Sequence, residues 1–161
     1  MVKKMRIIID GDGCPVKQEA IRLAEKYGLA VKIITSIAHY TDKAYPENVT
    51  FQYVDKGSDR ADYVIVAQLQ PTDILITQDY GLASLALVKC QAIFHQTGLR
   101  YTTENIDYLL SNRYLAQQSR KAGHKTKGPS PFTKEDRQKF CQQLTTFFQL
   151  IGLPAKKQED V

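Results

Sequence analysis

The stretch Met5-Arg-Ile-Ile-Ile-Asp10, followed directly by Gly11-Asp-Gly-Cys-Pro15, decides the fold class of this chain of 161 residues. Its run of β-branched residues is typical of a buried strand, and the run ends abruptly in small and acidic residues. Pro15 suits the first turn of a helix, and apolar residues follow at helical spacing until Gly28, a helix stop. This segment therefore predicts a strand, an acidic turn and a helix.

Strands and helices continue to alternate along the chain. Further strands are predicted at residues 31–36, 49–54, 73–77 and 92–95, and helices at residues 58–69 and 80–88. This alternation is typical of a mostly parallel sheet that is covered on both faces. We therefore expect an α/β fold with three layers, in which a central sheet of about five strands is flanked by helices.

Two C-terminal helices are predicted to complete the fold. One extends over about residues 104–119, and the other begins at Thr133, where Asp136 completes a capping box. The last helix carries an apolar stripe that suits a core or a contact between subunits of a homo-oligomer: Phe140, Leu144, Phe147, Phe148 and Ile151. Residues 1–150 are expected to form a single domain, with a flexible tail at residues 151–161.

The composition excludes several classes of protein. With 43% hydrophobic and 24% charged residues, the chain resembles ordinary globular proteins rather than collagens or disordered tails. No apolar run approaches the roughly 18 residues of a membrane span, and the apolar run near the N-terminus is too short for a signal peptide. The three cysteines form no C-x-x-C pair, so a cytoplasmic protein without a zinc ribbon is expected.

The positive charge is concentrated in the C-terminal third. Residues 1–110 carry 12 lysines and arginines against 13 aspartates and glutamates, whereas residues 111–161 carry 10 against 4. The basic residues are densest in and just before a connector at residues 121–131: Arg113, Arg120, Lys121, Lys125 and Lys127. Such a block favours binding to phosphates or to an anionic polymer, and its alternative is a solvated basic loop.

Aspartates follow the predicted strands at the position where open α/β sheets bind ligands. Asp10 and Asp12 follow the first strand, Asp79 follows the fourth, and two more open the helix after the third. We call these five residues the acidic edge: Asp10, Asp12, Asp59, Asp62 and Asp79. Carboxylates brought together repel each other unless they bind protons or cations, and Mg²⁺ and Mn²⁺ prefer oxygen ligands. Helix capping is the alternative explanation, above all for Asp59, Asp62 and Asp79.

Three other polar residues lie beside the acidic edge in the sequence. Thr77 and Gln78 could orient a water or a phosphate oxygen next to Asp79, or they could simply close the turn. Cys14 is either a nucleophile, activated near the start of a helix, or a plain buried cysteine. We expect the buried cysteine.

Four motifs resemble the YaiI/YqxD family of uncharacterised bacterial proteins. They are Asp10-Gly-Asp-Gly-Cys-Pro-Val-Lys17, Gly57-Ser-Asp-Arg-Ala-Asp62, Ile76-Thr-Gln-Asp-Tyr-Gly-Leu-Ala83 and Arg120-Lys-Ala-Gly-His-Lys-Thr-Lys-Gly-Pro-Ser-Pro-Phe-Thr133. Together they are specific, and the resemblance extends from about residue 5 to residue 148. The family itself implies no activity.

More distantly, the pattern is similar to the PIN and NYN nuclease-like domains. Those domains have an aspartate after the first strand, one that opens a middle helix, and one in a Thr-x-Asp turn after the fourth strand. The resemblance implies a PIN-like fold and metal ligands at Asp10 or Asp12, at Asp62 alone or together with Asp59, and at Asp79, whose turn begins with Thr77. PIN domains usually add a glutamate on an intervening helix, for which this sequence has no clear counterpart.

The leading hypothesis is a nuclease that depends on Mg²⁺ or Mn²⁺ and cleaves RNA or single-stranded nucleic acid. The acidic edge would hold the metal, with Asp59 in a supporting role, and the phosphate backbone would contact Arg120, Lys121, Lys125 and Lys127. One alternative is a binding module of the same fold without catalysis. Another is a haloacid-dehalogenase-like phosphatase, with Asp10-x-Asp12 as nucleophile and acid and with Thr35 or Ser36 binding phosphate.

Overall fold

One mixed sheet lies at the centre of the fold, in a computed structural model that describes residues 5–55, 60–123 and 131–155. Within these residues the sheet has six strands: β1 Arg6–Asp10, β2 Ala30–Ser36, β3 Val49–Val54, β4 Ile74–Ile76, β5 Ala92–Phe94 and β6 Arg100–Tyr101. Their order across the sheet is β3-β2-β1-β4-β5-β6. Strands β1 to β5 are parallel to one another, and β6 pairs with β5 in the antiparallel direction.

Helices cover both faces of this sheet. They are α1 Lys17–Tyr27, α2 Arg60–Gln68, α3 Tyr80–Ala86, α4 Ile106–Lys121 and α5 Lys134–Leu150, and a short 3₁₀ helix, Ile37–His39, follows β2. Buried residues of α1 and α5 pack on one face, and buried residues of α2, α3 and α4 pack on the other. The expected three-layer α/β fold is therefore confirmed. No helix in the described ranges is both long and apolar enough to cross a membrane.

The central position of β1 follows from its apolar sequence. Successive side chains of a strand point to opposite faces, so Ile7 and Ile9 enter one apolar core and Ile8 enters the other. All three are at most 1% exposed. A strand that is buried on both faces requires a continuous apolar run, which is what this segment provides.

The last strand, β6, was absent from the sequence prediction. It has two residues and follows a tight turn in which Gly98 has a φ of +91°. Two residues are too few to show the alternation by which a strand is recognised. Because β6 returns antiparallel to β5, the following helix, α4, starts at the amino end of the parallel strands and extends toward their carboxyl ends.

Several predicted helix boundaries are confirmed, and others are wrong by one or two residues: α2 ends at Gln68 instead of residue 69, α3 ends at Ala86 instead of residue 88, and α4 begins at Ile106 instead of residue 104. Gly28 ends α1 in the left-handed conformation, and Thr133 and Asp136 form the expected capping box of α5. Four residues of the predicted stripe are buried, whereas Ile151 is 39% exposed. The predicted end of α4 at residue 119 is wrong, because the helix continues to Lys121. Arg120 and Lys121 therefore both lie in its last turn, and Lys121 is not part of the connector.

A buried ion pair fixes the start of β1 against the turn before β4. Asp73 is fully buried, and it accepts hydrogen bonds from Nε and Nη2 of Arg6 at 3.0 and 2.8 Å. The amide of Gln70 donates a further hydrogen bond, at 2.8 Å. The carboxylate is thus paired with a cation and a backbone donor, as a buried charge requires.

Candidate active site at the carboxyl edge of the sheet

Four residues of the acidic edge lie at the carboxyl ends of the parallel strands. Asp10 ends β1 and Asp12 follows it, Asp79 follows β4, and Asp62 lies half-buried in the first turn of α2. Gly11 allows the chain to continue close to β2, since a Cβ there would lie 2.9 Å from the side chain of Thr35. The fifth predicted residue, Asp59, lies outside the described residues.

Asp10 is linked to Asp79 through Thr77. The buried Thr77 hydroxyl donates to Oδ2 of Asp10 at 2.8 Å and accepts from the amide of Asp79 at 3.0 Å. Burial raises the pKa of Asp10 to about 6; the hydrogen bond from Thr77 opposes this rise, and the charges of Asp12 and Asp79 add to it. Asp10 therefore carries its negative charge at an energetic cost, part of which comes from neighbouring carboxylates.

Asp12 is held by the end of β2. Its Oδ1 accepts hydrogen bonds from the Thr35 hydroxyl at 2.6 Å and from the amide of Ser36 at 3.0 Å. His39 of the 3₁₀ helix approaches the same oxygen, with its Nε2 at 3.7 Å. Burial works to raise the pKa of Asp12, but these hydrogen bonds and the nearby His39 lower it overall. The Asp12 carboxylate is consequently ionised when that of Asp10 can still be protonated.

Asp79 has the predicted role of a helix cap and a second contact that the sequence did not predict. Its Oδ1 accepts a hydrogen bond from the amide of Leu82 at 3.1 Å, at the start of α3. Nη1 of Arg113, from α4, lies 3.6 Å from the same oxygen. The sequence contains a signal for this contact. Arg113 is seven residues after the buried Ile106, so both lie on the face of α4 that is turned toward the sheet.

Carboxylate oxygens are suitable ligands for a hard divalent cation, but the described carboxylates are not close enough together to coordinate one ion. Thr77 and Thr35 occupy one oxygen each of Asp10 and Asp12, and no hydrogen bond from a described residue reaches the other oxygen of either. Within the described ranges no three His, Cys, Asp or Glu side chains are close enough together to hold a metal ion. Residues of the acidic edge would have to move together to coordinate a cation.

The two predicted residues next to Asp79 differ in position. Thr77 lies inside the site, as described above, whereas Gln78 is exposed and reaches over Gly13, whose φ of +72° suits glycine. A small cavity beneath them is lined by Asp10, Cys14, Ile76, Thr77, Gln78 and Gln96. Gln78 thus lines the same small cavity as Asp10, although its side chain is exposed.

The basic residues extend from the acidic edge along α4. Arg113 is at the level of Asp79, and Arg120 follows it by seven residues, about 10 Å further along the same side of the helix. Arg120 and Lys121 are exposed. Lys125 and Lys127 lie outside the described residues. The last two turns of α4 therefore carry positive charge past the carboxyl ends of the strands.

Cys14 is expected to react slowly with iodoacetamide at pH 7.5. Burial raises the pKa of its thiol to about 11, so very little of the reactive thiolate is present. Peptide mass spectrometry of the native protein, compared with the protein in urea, measures the rate at each cysteine. Rapid native alkylation at Cys14, or loss of activity in Cys14→Ser, would contradict the assignment of this residue to the core.

Asp10→Asn is expected to stabilise the protein at pH 7.5 in EDTA by about 1–3 kcal/mol. The pKa of Asp10 is higher in the folded than in the unfolded chain, so the wild type loses stability as the pH rises from about 4 to about 6, and this loss is complete above pH 6. Below about pH 4 the carboxyl is protonated in both states, and the gain should disappear. Urea unfolding at both pH values measures this, and an equal gain at both would exclude the ionisation of Asp10 as its cause.

Comparison with known proteins shows a family whose sequence profile covers nearly the whole chain. The profile of the uncharacterised BCR, YaiI/YqxD family matches residues 8–150. A UPF0178 protein of Enterococcus faecalis is 55% identical over 140 residues, which cover 87% of this chain and 95% of that protein. A UPF0178 protein of Bacillus thuringiensis is 50% identical over 136 residues, 84% of this chain and 93% of its own. No solved structure matches the chain significantly.

Proposed function

The chain belongs to the YaiI/YqxD family, and from its acidic edge rather than from that family we propose that it is a nuclease that depends on Mg²⁺ or Mn²⁺ and hydrolyses phosphodiester bonds of RNA or single-stranded nucleic acid. One observation carries the proposal. Three aspartates from separate segments, Asp10, Asp12 and Asp79, lie at the carboxyl edge of the sheet, where the Thr77 hydroxyl links Asp10 to the amide of Asp79. Burial raises the pKa of Asp10, and the charges of the other two aspartates add to that rise. A bound divalent cation would relieve that repulsion.

The residues around the carboxylates support this chemistry. The free oxygens of Asp10 and Asp12 would hold the cation together with Asp62 and Asp79, and the cation would activate a water and stabilise the leaving oxygen. The hydroxyls of Thr77 and Thr35 each donate to one oxygen of an aspartate and so fix its orientation, as groups that orient metal ligands do. Because Thr35 donates to Asp12, its hydroxyl is not free to bind phosphate, and a phosphatase of the alternative type would have to use Ser36 instead.

Arg113 adds a positive charge beside the carboxylates. Its side chain is 51% exposed and reaches Asp79 from α4, so a substrate phosphate could replace the carboxylate as its partner. Arginine binds phosphate oxygens through two parallel hydrogen bonds and stabilises the charge that develops during phosphoryl transfer. Arg113 would therefore hold the scissile phosphate near the cation.

The deciding experiment incubates the purified protein with labelled RNA, labelled single-stranded DNA and a chromogenic phosphate monoester, in Mn²⁺ or in EDTA. We expect cleavage of a nucleic acid in Mn²⁺ and none in EDTA. Hydrolysis of the monoester alone would indicate the phosphatase, and retention of nucleic acid without cleavage would indicate a binding module. Either result would overturn the proposal.

Replacing the four predicted basic residues with glutamine is expected to weaken nucleic-acid binding and to lower its salt slope by about three. Each phosphate contact on a single strand contributes about 0.7 to the slope of log affinity against log salt. The four residues are Arg120, Lys121, Lys125 and Lys127. Fluorescence anisotropy at several KCl concentrations measures the slope.

A matched control uses lysines at the opposite end of the strands. Lys26, in the last turn of α1, and Lys89, after α3, are both exposed there. Lys26→Gln combined with Lys89→Gln should leave affinity and slope unchanged, whereas Arg120→Gln combined with Lys121→Gln should reduce both. Equal slopes in the two double variants would remove the end of α4 from the binding surface.

A further inference from the structure

Four aromatic rings form a continuous row on β3 and on the loop that precedes it. We call them the aromatic row: Tyr40, Tyr53, Phe51 and Tyr45. Ring centroids are 5.2 Å apart for Tyr40 and Tyr53, 5.8 Å for Tyr53 and Phe51, and 4.7 Å for Phe51 and Tyr45. Tyr53 and Phe51 are stacked with an angle of 10° between their planes. Nζ of Lys43 lies 6.0 Å from the centroid of the Tyr45 ring.

One end of the aromatic row is next to the acidic edge. Tyr53 is the register partner of Thr35 on the neighbouring strand, and the hydroxyl of Thr35 donates to Asp12. Tyr40 directly follows His39, whose ring nitrogen is 3.7 Å from the same carboxylate. The row therefore begins beside Asp12 and extends along β3, the edge strand of the sheet, away from the site.

Packing of the core accounts for only part of this row. Phe51 and Tyr45 contact the core between the sheet and α1, and Tyr53 is half-buried. Tyr40 is 64% exposed, although its ring lies against Tyr53. An exposed ring that is backed by a second ring and stands beside a candidate phosphodiester site has the form of a platform for a planar ligand.

We propose that the aromatic row binds the bases of a single-stranded RNA or DNA, with Tyr40 as the exposed stacking surface, and so directs the strand to the acidic edge. This inference rests on the proposed function and specifies its substrate as an unpaired strand. Bases can stack on aromatic rings only when they are not already stacked in a duplex, and such stacking requires no particular sequence. Lys43 at one end of the row and Arg113 across the site supply charge for the backbone.

The test measures the binding of a short fluorescein-labelled single-stranded oligonucleotide by anisotropy, in EDTA so that cleavage does not interfere. Tyr40→Ala is expected to weaken binding about tenfold, the usual loss for one base–aromatic stack. Tyr40→Phe should bind as the wild type does, because the ring is kept. Tyr108→Ala removes an equally exposed tyrosine at the start of α4, and it should have no effect.

A second probe separates stacking from charge. An abasic oligomer of the same length has the same phosphates but no bases, so wild type should bind it more weakly and Tyr40→Ala should weaken it no further. Equal affinity of wild type and Tyr40→Ala for the normal oligonucleotide would overturn the inference. If the protein binds bases but cleaves no nucleic acid, the proposed nuclease activity is wrong and the inference about the aromatic row stands. If Tyr40→Ala cleaves nucleic acid with the KM of the wild type, the inference is wrong and the nuclease proposal stands.

Discussion

Asp12→Asn and Asp79→Asn are each expected to reduce Mn²⁺-dependent cleavage by about a hundredfold or more while the protein stays folded. Replacing a residue that only orients a metal ligand lowers metal affinity or activity about 10- to 100-fold, and replacing a ligand itself should lower it at least as much. Asparagine keeps the size and one oxygen of each side chain but loses the charge that would hold the cation. Initial rates on labelled RNA over a range of Mn²⁺ concentrations measure the loss.

A thermal shift in Mn²⁺ tests the same residues without relying on activity. Binding to the folded state alone stabilises it by about 2.7 kcal/mol when the free ion is at a hundred times its Kd. Wild type should show this gain, and both variants should lose most of it. Asp107→Asn, in the first turn of α4 and far from the acidic edge, is the matched control. A wild-type melting temperature that ignores millimolar Mn²⁺ would count against the metal site.

Asp73→Ala is expected to lower the free energy of unfolding by about 3–5 kcal/mol. The substitution removes a fully buried carboxylate and leaves the guanidinium of Arg6, which is 23% exposed, with the Gln68 carbonyl but without its negatively charged partner. Replacing both residues, as Arg6→Met with Asp73→Ala, should cost less than the sum of the single losses, since no unpaired charge remains. Urea unfolding curves measure all three variants.

The exposed pair between Arg113 and Asp79 provides the comparison for that prediction. Both side chains are partly in water, so Arg113→Gln should change the free energy of unfolding by less than about 1 kcal/mol. If Asp73→Ala lowered the free energy of unfolding by as little as Arg113→Gln does, burial would not explain the strength of the pair between Arg6 and Asp73. The two variants also distinguish an ion pair that stabilises the fold from one whose arginine we propose to bind the substrate.

Local patterns predicted the parts of the fold that local interactions form. The apolar run of β1, the stop at Gly28 and the capping box at Thr133 depend on residues that are near each other in sequence, and all three were predicted correctly. The ends of β4 were placed one residue too far out on each side. Asp73 and Thr77 flank this strand, and their backbones still hydrogen-bond to Gln91 and Phe94. Their side chains bond to the distant residues Arg6 and Asp10. Such long-range contacts leave no periodic signal.

The candidate site was predicted in outline because parallel strands bring their carboxyl ends together. The raised pKa of Asp10 and the contact of Arg113 with Asp79 depend on burial and on the direction of α4, neither of which a single segment encodes. Similarly, the alternation at residues 49–54 predicted β3, but nothing local indicated that Tyr40 and Tyr45 would pack against it.

The reversal of direction at β6 gives the carboxyl edge an uneven electrostatic field. Helices α1, α2 and α3 each follow a parallel strand and point their amino termini, with a partial positive charge of about half an elementary charge, toward this edge. Their macrodipoles favour anions and so help to tolerate crowded aspartates and approaching phosphates. Helix α4 arrives with its carboxyl terminus, where the partial charge is negative and cations are favoured. Arg120 and Lys121 lie in that last turn and offset its negative partial charge.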